Sequence, residues 1–359
     1  MELSQDNVNQ FLQRARKLLL EQPDLHSVSI GSSGASALSI FVSFTPPIPR
    51  STSERSGKYA QSADFPESFK DLPIVEENRL AGARSTAAVA AGRCSLQKVL
   101  QPGLDIAAVP ASGELHPRRG TLGCIVYDRI TGEPMILSNW HVMSGETSLV
   151  LQPSSQLLPP SVASLCGRVM RSCVDLDCAV ASAIGRKTNP RMLGLGVTPR
   201  QAKMPELGDP VVKFGAGNNR SYGIVKRIGI VRMNFGGAFA DVLIPCCYIA
   251  RDTAVDQVET GDQVRELVRP GDSGCVWMLR KKGPANVSRP QLRESMTQDP
   301  RKEMDPPQPE DEYLRATETA VALHFGADDA VEELALAVSM PMVLDQLNVT
   351  LAYPPAEKS

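Results

Sequence analysis

No apolar run in this sequence approaches the about 18–20 residues that span a bilayer, so no membrane-spanning helix is expected. Neither charge dominates: 38 basic residues stand against 40 acidic ones, a net charge of −2, where a nucleic-acid clamp carries a basic surplus. Residues 1–22 lack the basic leader, apolar core and small-residue cleavage site of a secretory signal. The cysteines (Cys94, Cys124, Cys166, Cys173, Cys178, Cys246, Cys247 and Cys275) include no Cys-x-x-Cys pair with a histidine partner, the spacing a metal site needs. They are expected to be reduced thiols, packed as small hydrophobes, in a cytoplasmic protein. Histidine is scarce, with His26, His116, His141 and His324 as the whole supply.

What is present is a chain of 359 residues, 42% hydrophobic and 22% charged, enough to bury a core in about two domains. Val8, Phe11, Leu12, Ala15, Leu18 and Leu19 fall at helical spacing, with Asp6 or Asn7 placed to cap the helix. Strand-like pieces follow at Ser27–Ile30 and Ala37–Phe44, then a loop rich in Pro and Ser from Pro46 to Pro66. Residues 1–105 read as a small α+β domain. From Thr121 onward the chain becomes a series of short β-type runs divided by glycine turns: Gly123–Tyr127, Pro134–Ser138, Cys178–Ala181, Pro210–Phe214, Tyr222–Met233, Ala240–Ile249, Cys275–Leu279 and Thr319–Phe325. That pattern predicts an antiparallel sandwich or barrel over residues 106–359. A charged, proline-rich stretch at 281–315 is expected to be a mobile insertion, and Pro341–Val349 a short closing helix.

The sharpest chemical signal is Gly271-Asp272-Ser273-Gly274, next to the apolar run Cys275–Leu279. A serine hydroxyl is a weak nucleophile and needs a base to take its proton. Glycines on both sides permit a tight turn that aims the Gly271 and Ser273 amides at one point, where they can stabilise an oxyanion. The same four residues also suit a plain solvated turn between strands. A base is available in His141, which directly follows the apolar run Met135–Ser138, whereas His324 lies within a strand and reads as lining or flanking the site. For the acid that orients the imidazole, Val174-Asp175-Leu176-Asp177-Cys178 offers two carboxylates. Asp177, immediately before a small-residue strand, is preferred and Asp175 is the alternative.

In chain order these residues run His, Asp, Ser, each beside a predicted strand. The segments Ile136–Val142, Asp177–Val180 and Gly271–Gly274 resemble the triad motifs of trypsin-like serine peptidases with the chymotrypsin-type double β-barrel. Gly120–Val126 resembles the opening strand of a bacterial branch of that superfamily, and the chain is also similar to the narrow-leaf peptidases of plants. The resemblance extends from about Leu104 to the C-terminus and implies an all-β double barrel preceded by the small α+β domain.

It also implies a serine endopeptidase (a hydrolase) in which Ser273 attacks, His141 moves the proton and Asp177 orients His141. The amides of Gly271 and Ser273 then form the oxyanion hole. A protein or peptide is the expected partner, with a homo-oligomer left open, and no cofactor, metal, nucleic acid or membrane is implied. Val142 stands where secreted relatives have a half-cystine. The N-terminal salt bridge of their activated forms cannot reach Asp272 unless everything before the first barrel is removed, so a chain independent of that switch is expected. Leu267 occupies the position of the acidic pocket base of trypsin, with Glu266 beside it, which suggests a less polar pocket. The alternative is a catalytically silent scaffold that binds a partner protein.

Overall fold

The computed structural model describes residues 3–32, 38–44, 69, 72–78, 95–109, 119–143, 145, 147–154, 162–235, 239, 241–253, 255, 266–281, 314–328 and 333–353. The Pro46–Pro66 loop, Cys94, His116 and all of the 281–315 insertion except Lys281, Leu314 and Arg315 lie outside them.

The predicted amphipathic helix is α1, Gln5–Glu21, which buries Val8, Phe11, Ala15, Leu18 and Leu19. Its cap is neither Asp6 nor Asn7 but Ser4, whose hydroxyl accepts the Asn7 amide at 3.3 Å. The buried stripe covers a three-stranded extension made by β1 (Leu25–Ser32), β2 (Leu38–Phe44) and β3 (Ile74–Asn78). Each fully buried Leu or Phe contributes roughly 1.5–3 kcal/mol, so this stripe is what fixes α1 to the sheet. The short β4 (Val99–Leu100) pairs far along the chain with β12 (Lys187–Thr188).

The first barrel comprises β5 (Asp105–Val109), β6 (Arg119–Thr121), β7 (Cys124–Asp128), β8 (Pro134–Ser138), β9 (Leu149–Leu151), β10 (Leu165–Cys173) and β11 (Cys178–Ala183). Strands β6 and β7 are two halves of one extended segment. The first half pairs with β5 and the second with β8, and between them the Leu122 and Gly123 amides reach the Leu104 and Leu137 carbonyls. The sheet order β7-β8-β11-β10-β9-β5-β6 therefore closes on itself and leaves no edge to aggregate.

After β13 (Gln201–Ala202), the second barrel is formed by β14 (Pro210–Phe214), β15 (Arg220–Met233), β16 (Val242–Arg251), β17 (Val276–Arg280), β18 (Ala316–Asp328) and β19 (Leu334–Ser339). Its order β14-β17-β18-β19-β16-β15 closes through the β14–β15 pairing. Strand β15 does double duty: Arg220–Ile224 pair with β14, whereas Arg227–Val231 pair with β1 and so attach the N-terminal extension. Helix α3 (Met340–Gln346) and β20 (Val349–Thr350) return the chain to β7 of the first barrel. The protein is thus a double β-barrel of chymotrypsin type with a helix-containing N-terminal region, as the sequence leads one to expect. Among the described residues no helix is long and apolar enough to cross a membrane.

Candidate active site

The two barrels meet along β6 and the Gly271–Gly274 turn. The Thr121 amide donates to the Ser273 carbonyl at 2.7 Å, and the Thr121 hydroxyl donates to the Gly271 carbonyl at 2.6 Å while accepting the Ala216 amide at 2.9 Å. Contact at the seam is close enough to require Gly120. A methyl group there would lie 2.5 Å from a Val142 side-chain carbon and 2.7 Å from the Ser273 carbonyl oxygen. Since Val142 follows His141, that one point lies next to both the proposed base and the proposed nucleophile.

His141 lies on α2 (Trp140–Met143), a single turn that follows β8. Asp177 lies in the turn between β10 and β11 and is fully buried. One carboxylate oxygen of Asp177 accepts from the His141 amide at 2.9 Å, and the other lies 2.6 Å from the ring Nδ1. The Asn139 side chain donates to the Asp177 carbonyl at 2.8 Å. Asp177 has φ +43°, a left-handed conformation that non-glycine residues seldom adopt. The turn accepts it because four hydrogen bonds, two to the carboxylate, one to the carbonyl and one from the amide to the Val174 carbonyl, hold the residue. Asp175, the alternative acid, is exposed and is not the carboxylate that meets His141. With Asp177 accepting from Nδ1–H, Nε2 keeps its lone pair and can act as a base.

Ser273 is half-buried, and its hydroxyl makes no hydrogen bond among the described residues. The structure joins His141 to Asp177 and brings the Ser273 backbone to the same seam, but it contains no Ser273–His141 hydrogen bond. Such contacts are often long in enzymes without substrate and tighten when it binds. Among the described residues, the Gly271 and Ser273 amides donate to no acceptor, whereas those of Asp272, Gly274 and Cys275 bond to Arg269, His324 and Asp272 carbonyls. Gly271 has φ +96°, open to glycine and strained for other residues. The two amides assigned to the oxyanion are therefore the two left unpaired.

Sequence reasoning missed the support behind this turn. Asp272 and Lys213 of β14 form a fully buried ion pair at 2.6 Å. Asp272 also accepts the amides of Arg269 at 3.0 Å and Asn218 at 2.8 Å. Burial, the largest single cause, acts to lower the Lys213 pKa, but the charge and hydrogen bond of Asp272, together with Cys275 and the Glu333 charge, outweigh it and leave the value raised. The cation beside Asp272 is thus Lys213 of the chain's own second barrel. A lone lysine inside the apolar run Pro210–Phe214 was the available signal. Phe235, in the connection between β15 and β16, was also missed. Its ring stacks on the His141 imidazole at 5.8 Å between centroids and 17° between planes, and its signal was an aromatic residue beside a glycine pair.

His324, on β18, is buried with its Nδ1 unpartnered. Burial first, then the positive charge of Lys213, holds its pKa down from the usual 6.5 to about 3. Between those values an unfolded chain binds a proton here and the native chain does not. Stability is therefore expected to fall as the pH drops through that window, by up to about 1.4 kcal/mol per pH unit. The substitution His324→Gln is expected to remove this contribution. Denaturant midpoints at about pH 7 and about pH 4.5 test it, and an equal acid loss in both proteins would refute it.

No family model and no curated protein matches the chain. Solved structures do. Protease A of Thermobifida fusca aligns with a TM-score of 0.42 and 14% identity, over 70% of this chain and 97% of that one. The Nocardiopsis protease gives 0.42 and 12%, over 70% and 98%. Cellulomonas bogoriensis chymotrypsin gives 0.41 and 12%, over 71% and 99%. The chain is similar to these serine proteases at the level of fold.

Proposed function

We propose that this chain is a serine-type endopeptidase of the trypsin-like superfamily, from a bacterial branch akin to the narrow-leaf peptidases, acting on protein substrates in the cytoplasm. The observation that carries this reading is the 2.6 Å contact between His141 Nδ1 and the buried Asp177 carboxylate. Around it, each chemical requirement has a residue to meet it. His141 Nε2 takes the proton of Ser273 as the hydroxyl oxygen attacks the peptide carbonyl, and Asp177 stabilises the imidazolium that results. The unpaired Gly271 and Ser273 amides receive the oxyanion, each worth about 3–4 kcal/mol in a preorganised site. His141 then protonates the leaving amine, and water cleaves the acyl-enzyme by the same path in reverse.

A fluorophosphonate probe tests the reading, since such reagents phosphonylate activated serines. Labelling is expected at Ser273, lost in His141→Ala. An unlabelled Ser273 in folded protein would favour the silent scaffold instead. The choice of acid has its own test. Asp177→Asn is expected to lower turnover by about 10⁴-fold, because the amide holds the wrong imidazole tautomer. Asp175→Asn is expected to leave turnover near wild type. Steady-state rates on a cleaved peptide decide it, and the reverse ranking would transfer the role to Asp175.

A further inference from the structure

The hairpin that delivers Asp177 carries two thiols for which peptide hydrolysis has no use. Cys173 and Cys178 face each other as the last pair of β10 and β11 before the turn, and the Asp177 amide closes that turn on the Val174 carbonyl at 2.9 Å. Residues directly opposite in an antiparallel ladder lie about 4.5–5.5 Å apart at Cα, within the about 4.4–6.8 Å that a disulfide bridges.

The two sulfurs are unlike each other. Cys178 is fully buried, whereas Cys173 is partly exposed at the edge of the same core. A hydrogen bond from the Cys178 thiol, with help from the Leu176 and Asp175 amides, outweighs burial and brings the Cys173 thiol down to about 6. Cys178 is pushed up by that same hydrogen bond and by burial. Every other described cysteine is buried and its thiol raised. Cys173 thus differs from the small-hydrophobe packing expected of the cysteines, being partly exposed with its thiol drawn down where the others are pushed up, the setting in which a cysteine reacts.

We propose that Cys173 and Cys178 are a reversible redox pair whose disulfide locks the turn carrying Asp177. With a peroxide as oxidant, the Cys173 thiolate attacks one peroxide oxygen, the O–O bond breaks, hydroxide leaves and Cys173 becomes a sulfenic acid. The Cys178 sulfur then attacks the Cys173 sulfur, the S–O bond breaks, and water departs with the Cys178 proton. Two electrons have passed from the sulfurs to the peroxide, and a dithiol returns them by exchange. Because Asp177 is joined directly to Cys178, the bond fixes the backbone from which the carboxylate reaches His141. Disulfide formation stands by itself, and its effect on turnover rests on the proposed hydrolysis.

The full-length protein is treated with hydrogen peroxide, alkylated and digested with trypsin. The peptide Ser172–Arg186 contains both cysteines and no others. It is expected to emerge unalkylated and two hydrogens lighter, and to regain both alkylation sites after dithiothreitol. In Cys178→Ala, Cys173 is expected to be trapped by dimedone as the sulfenic acid. Both sites alkylated as in untreated protein, or Cys173 linked to a different thiol, would overturn the pair. Turnover is expected to fall on oxidation and return on reduction, bounded by the about 10⁴-fold loss expected without Asp177, while Cys173→Ser resists the peroxide. A linked pair with unchanged turnover would overturn the control of Asp177. Absence of turnover in the reduced protein would instead count against the hydrolase reading, with the disulfide still assigned by mass.

Discussion

Replacing Ser273 with alanine is expected to lower peptide hydrolysis by about 10⁶-fold while leaving the fold in place. The size follows from the chemistry: without the hydroxyl there is no acyl-enzyme, and what remains is the contribution of the oxyanion donors and of substrate binding. The small structural effect follows from the site. Ser273 is half-buried, and its side chain makes no hydrogen bond among the described residues, so its loss orphans no buried partner. The backbone contacts that hold the turn, from Thr121 to the Ser273 carbonyl and from Gly274 to the His324 carbonyl, remain. Stability is expected to change by no more than about 0.5 kcal/mol. Residues that act as one unit are not additive, so a double variant with His141→Ala is expected to be hardly slower than either single variant. Rates on a cleaved peptide, with thermal unfolding as the control for folding, decide the matter. Wild-type turnover by a folded Ser273→Ala protein would remove Ser273 from the chemistry.

What could be read in the sequence follows from how locally each feature is encoded. Strands such as Pro134–Ser138 and Pro210–Phe214 are short apolar runs bounded by turn residues, and they form where expected. Leu334–Ser339 escaped because Leu-Ala-Leu-Ala-Val suits a helix as well as a strand by composition. Its burial at every position, between β16 and β18, decides the outcome, and that is a property of the assembled barrel. Leu165–Cys173 escaped for a different reason, since its arginines and glycine mask the alternation. The His141–Asp177 contact was legible because a motif marks each side. The contacts of Thr121 and Lys213 were not, because each joins segments about 60 to 150 residues apart through a side chain that is ordinary in its own segment. Likewise, Gly215-Ala216-Gly217 reads as a simple turn. In the fold, the amides of Ala216 and Asn218 bind Thr121 and Asp272 and so tie this turn to the Gly271–Gly274 turn.

The Lys213 pair leads to the other large expected effect. Taking the ammonium away in Lys213→Met leaves the Asp272 carboxylate fully buried with, among the described residues, only the Arg269 and Asn218 amides for compensation. Stranding one member of a buried ion pair costs about 3–5 kcal/mol, a large share of the about 5–15 kcal/mol that keeps a domain folded. Asp272 separates Gly271 from Ser273, so a carboxylate that shifts to find a proton or water turns both amides away from the oxyanion. Each donor misdirected is expected to lower kcat by about 10²–10³-fold. Loss of activity through unfolding would look similar, and the double variant Lys213→Met, Asp272→Asn separates the two causes. It removes both charges, and the carboxamide placed at position 272 keeps an oxygen to accept the Asn218 amide. The double variant is expected to recover most of the lost stability, because an uncharged replacement of a buried pair is often close to neutral. Urea midpoints across the four proteins of this cycle measure the coupling, and kcat on the refolded double variant measures how far the turn depends on charge. If Lys213→Met alone unfolds at the wild-type midpoint and retains wild-type kcat, the ion pair does not hold the catalytic turn.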